Sequence, residues 1–230
     1  MHALDNPVWH ALVGPHAEFA VGQSLARHYP RDIAPFSAIA EATDAAYADL
    51  AADLPKGLEA RLFRPANEPT LPSWETLSAR PIIQMVADDI TAQQAILRDD
   101  LTVLDMNDTA DMLELAAIAK PGPFGPRTAL LGRFIGYRKD GRLLAMGGER
   151  LRLPGFVELS AISVHPDARG AGLGSAITLH LARLALTRGE TPFLHVFPDN
   201  PAGALYRRLG FRERARLWVI WRRVAAEKRS

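Results

Sequence analysis

Apolar and polar side chains alternate from Phe156 to Val164, with Val157, Leu159 and Ala161 on one side and Glu158 and Ser160 on the other, as in a half-buried β-strand. The pattern stops at Pro166. Arg169 and the glycines Gly170, Gly172 and Gly174 then open a stretch rich in leucine and alanine that reads as a helix. Pro192 to Phe197 is a short apolar and aromatic run of the kind a buried strand has, and Pro198-Asp199-Asn200-Pro201 is a turn and helix-start signal. A short helical stretch follows, closed by Gly210, before a last strand from Arg212 to Trp221.

Upstream, the pattern predicts a strand near Leu101 to Leu104 and a helix from Thr109 to Ala119, capped by Asn107 or Asp108. A proline and glycine loop runs from Pro121 to Pro126, and Lys139-Asp140-Gly141 joins two strands as a hairpin. Residues 1 to 60 read as helical, with alanine-rich stretches such as Ala38 to Leu54. Pro65, Pro69, Pro72 and Pro81 then predict an extended or irregular segment, because proline fixes φ and donates no backbone hydrogen bond. The boundary between an N-terminal helical, proline-rich part (1–95) and a second domain (96–230) is expected near residues 90 to 98. Strands with mixed helix and strand connections give an α+β, or mixed α/β, fold class.

Composition removes several function classes. No cysteine is present, so disulfides, thiolate metal sites and a cysteine nucleophile are excluded, and a reducing compartment such as the cytoplasm is the expected setting. Twenty-seven basic residues against 26 acidic ones leave no electrostatic case for nucleic acid as a partner. No apolar run is long enough to span a bilayer, and no secretory signal is visible, so no membrane partner is expected. His10 and His16 lack the further ligands a metal site needs, and no metal is expected.

The glycine segment carries the chemistry. The first N–H groups of a helix have no intrahelical partner, and the helix dipole adds positive charge there, so a phosphate is a natural guest. Glycines let such a ligand approach the backbone. Gly174-Ser175 has no lysine between its residues, as a P-loop would require. A dinucleotide fold places its first glycine directly after the strand, whereas His165 to Arg169 intervene here. Arg169-Gly170-Ala171-Gly172-Leu173-Gly174 instead matches the Arg/Gln-x-x-Gly-x-Gly/Ala loop of the GNAT acetyltransferases, and Leu205-Tyr206-Arg207-Arg208-Leu209-Gly210-Phe211 resembles a later segment of the same superfamily. Pro121-Gly122-Pro123-Phe124, Ala145-Met146, Glu158-Leu159-Ser160 and Pro192 to Val196 look like a two-part GNAT subgroup. It includes relatives of glycine N-acyltransferase and has its catalytic domain in the C-terminal half. The stretch from Asn200 to Tyr206 is one residue shorter than is usual in the superfamily, which bears on the role of Asn200 more than on Tyr206.

The resemblance implies a central mixed, mostly antiparallel sheet flanked by helices, with acetyl-CoA as acyl donor and a primary amine as acceptor. The amine would belong to an amino acid, a small metabolite or a peptide end. It implies cofactor contacts from the backbone of Ile162, Ser163 and Val164, from the loop residues Arg169, Gly170, Gly172, Leu173, Gly174 and Ser175, and from Asn200. Tyr206 is the candidate proton donor to the leaving thiolate. Glu158, on the polar face of its strand, is the candidate base, acting through a water. His165 and His195 read as hydrogen-bonded structural histidines. The competing reading is a catalytically silent acyl-CoA-binding module, and both monomer and homodimer remain open.

Overall fold

A computed structural model of the chain describes residues 2–55, 57–69, 71–90 and 98–225. The described residues form one eight-stranded sheet and a two-stranded ribbon. The ribbon pairs β1 (Ala26–His28) with β2 (Ser37–Ile39). The large sheet is built from β3 (Glu59–Arg64), β4 (Trp74–Val86), β5 (Thr102–Leu104), β6 (Phe134–Lys139), β7 (Arg142–Leu153), β8 (Phe156–Val164), β9 (Thr191–Val196) and β10 (Arg212–Val224). Its order is β3-β10-β4-β9-β8-β7-β6-β5, and every neighbouring pair is antiparallel except β8 with β9. The helices are α1 (Pro7–Leu12), α2 (Asp44–Asp53), α3 (Thr109–Ala119), α4 (Leu173–Thr187) and α5 (Ala202–Arg208). This is the mixed α+β architecture expected, a mostly antiparallel sheet flanked by helices.

Local chemistry explains the elements that frame the site. At the β6–β7 hairpin both Asp140 (φ 50°) and Gly141 (φ 80°) are left-handed, the two-residue turn that matches strand twist. Helix α3 begins and ends where the pattern places it, and Lys120 closes it in the left-handed conformation at φ 51°. Helix α4 buries Leu173, Ala176, Ile177, Leu181, Ala182 and Ala185 against the sheet, in a core shared with Leu159, Leu194 and Val196. The opposite face of the sheet packs on the N-terminal segment through Leu4, Val8, Leu12, Tyr29 and Phe36, and on α3 through Met112 and Leu115.

One sequence expectation needs correction. Residues 1 to 60 are not mainly helical: within Ala38 to Leu54 only Asp44–Asp53 forms a helix, and outside the short helices the chain is β1, β2, the start of β3 and a larger share of turns and irregular backbone. Tertiary pairing overrides the helix preference of alanine here. The proline-rich stretch is extended in its second half, within the expectation, and β4 carries Pro81 opposite Trp218 of β10. β9 covers β4 only from Ile83 to Val86, so one edge of the strand is open at Pro81, where a missing N–H is tolerated. In the sheet, β4, which precedes the boundary expected near residues 90 to 98, lies between β10 and β9. Residues 91–97 of that boundary lie outside the described residues. Among the described residues no helix is long and apolar enough to cross a membrane.

Candidate active site

The site begins where two strands part. β8 and β9 run parallel and pair only at Phe156–Thr191, Val157–Pro192 and Glu158–Phe193. Beyond Glu158 the β9-facing edge of β8 has no strand partner, while its other edge stays bound to β7 as far as Val164 opposite Ala145. Unpaired backbone groups are costly unless a ligand or water satisfies them, so the open edge is a docking position for an extended group. A bulge sharpens the opening. Ala161 adopts φ 56°, and the register slips between the Met146–Ser163 and Gly148–Ser160 pairs. The slip breaks the alternation expected along β8: Leu159 packs with α4, whereas Ala161 packs with Met112 and Leu115 of α3. The continuous apolar face of Val157, Leu159 and Ala161 is therefore not formed.

A cavity of about 370 Å³ occupies the split and is lined by Glu158, Ser160, Ile162, Val164, Arg169, Asn200 and Tyr206 among others. Six of the sequence-derived candidates, all of these except Ser160, thus converge through side chain or backbone. Ser163 points elsewhere, burying its hydroxyl as a donor to the Ala161 carbonyl at 3.0 Å, so only its backbone is placed for a ligand. Leu173 is a core side chain that offers only its N–H. Gly170 and Gly172 have φ of 82° and 74°, and no atom lies within 4 Å of where their Cβ would be. Gly172 is the N-cap of α4 and no side chain caps the helix, which leaves the leading N–H groups free for an anion beside Arg169 and Ser175. Asn200 accepts a hydrogen bond from the Ala202 N–H at 2.9 Å and lines the cavity from the β9 side.

Tyr206 sits on α5 with its ring edge-on to Phe211, and burial pushes its pKa up to about 12. Its hydroxyl is therefore protonated near neutral pH. Glu158 has a different setting from the one expected of a base. It is fully buried, accepts two hydrogen bonds from Arg150 at 2.8 Å each, and accepts a third from His195 Nδ1 at 2.7 Å. Burial pushes its pKa up, but the charge of Arg150 and the hydrogen bonds from Arg150 and His195 outweigh burial and leave it at about 2. A carboxylate so stabilised is a poor proton acceptor.

His195 is held at both nitrogens, as a structural histidine is. Gln84 Nε2 donates to the Leu4 carbonyl at 2.9 Å and faces His195 Nε2 at 3.1 Å, while Gln84 Oε1 accepts from Arg214 at 2.9 Å. Both partners of the amide are fixed, so Nε2 of His195 is the acceptor and Nδ1 carries the proton given to Glu158. Arg214 continues the chain to Asp5 at 2.8 Å. His165 accepts from the Asp167 N–H through Nδ1 at 3.2 Å. His16 is occupied by the Tyr29 hydroxyl at 2.8 Å.

Sequence reading missed Arg150 and Gln84, because alternating charge in Glu149-Arg150-Leu151-Arg152 resembles any solvated strand. It also missed a second cavity of about 590 Å³, which shares Pro121, Ser160, His195, Val196 and Asn200 with the first. Its walls include Phe36, Arg61, Phe63 and Arg80 from the N-terminal part and Pro121 to Pro123 from the loop after α3.

A mostly antiparallel sheet parted between two parallel strands, beside an uncapped glycine-led helix, is a fold shared with known acetyltransferases. The model of the FR47-like protein family matches residues 134–219. A crystal structure of a GNAT-family acetyltransferase from Novosphingobium aromaticivorans is 33% identical, covers 98% of this chain and 100% of its own, and superposes with a TM-score of 0.89. The chain belongs to the GNAT family of acetyltransferases. It also resembles mycothiol acetyltransferases: that of Saccharomonospora viridis is 50% identical over 24% of this chain and 18% of its own, and that of Geodermatophilus obscurus 36% identical over 40% and 32%. The chain thus spans a third or less of the length of these curated relatives.

Proposed function

We propose that the protein is an N-acetyltransferase that moves an acetyl group from acetyl-CoA to a primary amine by direct attack. The observation that carries this reading is the parting of β8 and β9 beside the uncapped start of α4, with Tyr206 on the wall of the cavity between them. The residues fit such a donor. The N–H groups from Gly170 to Ser175 would receive the diphosphate with Arg169 beside them. The free edge of Ile162, Ser163 and Val164 would pair with the pantetheine arm, and Asn200 would flank it. Acetyl-CoA supplies an acyl carbon with a thiolate leaving group. The amine nitrogen forms the C–N bond, the C–S bond breaks, the proton shed by nitrogen passes to water, and the thiolate regains one.

Tyr206 is the proposed hydrogen-bond donor to that sulfur. At a pKa of about 12 it lies well above a thiol near 8.5, so stabilising the developing thiolate by a hydrogen bond is easier than complete transfer. Glu158 is proposed as a positioning group that orders Arg150 and His195, in place of the base role read from the sequence. The N-terminal part and the Pro121 to Pro126 loop would shape the acceptor side. Kinship with glycine N-acyltransferase relatives, read from the motifs, favours a small acceptor. The mycothiol acetyltransferase matches support acetyl transfer without naming this chain's acceptor, and the cysteine-free sequence suits a cytoplasmic setting. Screening a panel of amines for free thiol released from acetyl-CoA, with coenzyme A binding measured by calorimetry, tests the reading. Saturable release with an amine supports it. Tight coenzyme A binding without turnover across the panel would instead establish the silent acyl-CoA-binding module.

A further inference from the structure

The larger cavity has an unusual floor. Three neighbouring strands present one face to it: Arg61 and Phe63 from β3, Val219 and Trp221 from β10, and Ser78, Arg80 and Ile82 from β4. The register places Phe63, Val219 and Arg80 in one cross-strand row and Arg61, Trp221 and Ser78 in the next. The guanidinium of Arg61 lies 4.1 Å from the Trp221 ring centroid, and that of Arg80 lies 4.5 Å from Phe197. Stacking occupies the flat faces of both groups and leaves their N–H edges for in-plane acceptors.

Those edges are poorly supplied by the protein. Arg61 Nε is buried with no hydrogen-bond partner among the described residues, and a terminal nitrogen of the same group lies 3.8 Å from a carboxylate oxygen of Glu59, beyond hydrogen-bond distance. Arg80 pairs with Asp199 at 3.3 Å where both side chains are more than half exposed, a contact worth little in water. Arg150 also lines the cavity, with its charge already met by Glu158. Among the described residues three arginines and no acidic side chain line this space. Burial, and to a smaller extent the nearby Arg31, lower the pKa of Arg61 by more than Glu59 raises it.

We propose that the acceptor amine also carries an oxyanion, a carboxylate or a phosphate, which Arg61 and Arg80 receive above an aromatic floor. This inference rests on the N-acetyltransferase reading, since the arginine cavity opens onto the one that would hold the acetyl donor. A simple alkylammonium or polyamine would meet only positive charge here. An acceptor with an oxyanion supplies counter-charge and in-plane acceptors to Arg61 and Arg80.

The test compares matched amines by thiol release and by calorimetry in the presence of coenzyme A. L-Phenylalanine and L-leucine form the carboxylate arm and phosphoethanolamine the phosphate arm. Phenethylamine, isopentylamine and the two amino acid amides form the uncharged arm. At least one oxyanion arm should be preferred over the uncharged arm by about tenfold or more in kcat/KM or in affinity. Arg61→Gln and Arg80→Gln should erase that preference while leaving coenzyme A affinity unchanged, which also shows that the variants fold. Equal or better use of the uncharged arm would overturn the inference and leave the N-acetyltransferase reading standing. Arginine-dependent binding of an oxyanion arm without thiol release would do the reverse. Absence of binding and turnover in both oxyanion arms would overturn the inference.

Discussion

At the scale of single residues, the candidate site sets Tyr206, on the cavity wall, apart from a buried network of Glu158, Arg150 and His195. Replacing Tyr206 with phenylalanine keeps the ring against Phe211 and removes the hydroxyl. Turnover should fall on the order of 10²-fold, with the Michaelis constant for acetyl-CoA nearly unchanged, because the hydrogen bond matters as the thiolate forms. Steady-state kinetics read both values, and a loss below about threefold would make Tyr206 a packing residue. Glu158→Gln strands the Arg150 charge in the interior and should destabilise the protein by about 3–5 kcal/mol, measurable by denaturant titration. The same carboxylate sets an acid limit. Its folded pKa of about 2 lies below the ordinary 4.5, so the stability it contributes is complete above 4.5 and is lost as pH falls toward 2. Melting temperatures from pH 6 to 2 should fall more steeply in the wild type than in Glu158→Gln, and parallel curves would remove Glu158 from this role.

At the scale of elements, the glycine-led start of α4 is separable from the core that α4 builds. No protein atom lies within 4 Å of a Cβ built at Gly172, so a side chain there meets backbone strain at φ 74° and an incoming ligand, with nothing to displace in the fold. Gly172→Val should cost about 1–3 kcal/mol of stability. It should weaken coenzyme A by much more than tenfold, since the branched side chain stands over the N–H groups. Calorimetry on the folded variant decides this, and unchanged affinity would remove the loop from the donor site. The bulge in β8 yields a companion expectation. Ala161 holds φ 56° without being glycine, so Ala161→Gly should be tolerated, while Ala161→Val should be destabilising by about 1–3 kcal/mol in chemical denaturation.

At the scale of the whole molecule, the N-terminal part is a structural member of the catalytic sheet. β4 pairs with β10 from Trp74 to Val86 and with β9 from Ile83 to Val86, so it sits between the two strands that follow α4. The Gln84–His195 contact and the Arg214–Asp5 ion pair tie the N-terminal segment to the same sheet. A fragment beginning at residue 98 would expose the full edges of β9 and β10 and lose the apolar cover of Leu4, Val8 and Leu12. It should aggregate or melt without cooperativity, as differential scanning calorimetry and size-exclusion chromatography would show. A monomeric fragment with a cooperative transition and coenzyme A affinity would restore the two-part arrangement.

The sequence by itself determined the elements around the proposed donor site. Period-two alternation marked β8 from Phe156 to Val164, Asp140-Gly141 marked the β6–β7 hairpin, and the spacing from Arg169 to Gly174 and the frame around Tyr206 marked the start of α4 and the end of α5. These signals are local, because a strand, a turn and a helix start each depend on residues close in the chain. The proposed acceptor side was decided only by tertiary structure. Arg61, Arg80 and Trp221 come from strands far apart in sequence, and their shared face follows from β10 lying between β3 and β4. The environment of Glu158 was hidden for the same reason: its residue type and strand position fitted a base. Burial beside Arg150 and His195, which no local pattern encodes, makes it an ion-paired anchor.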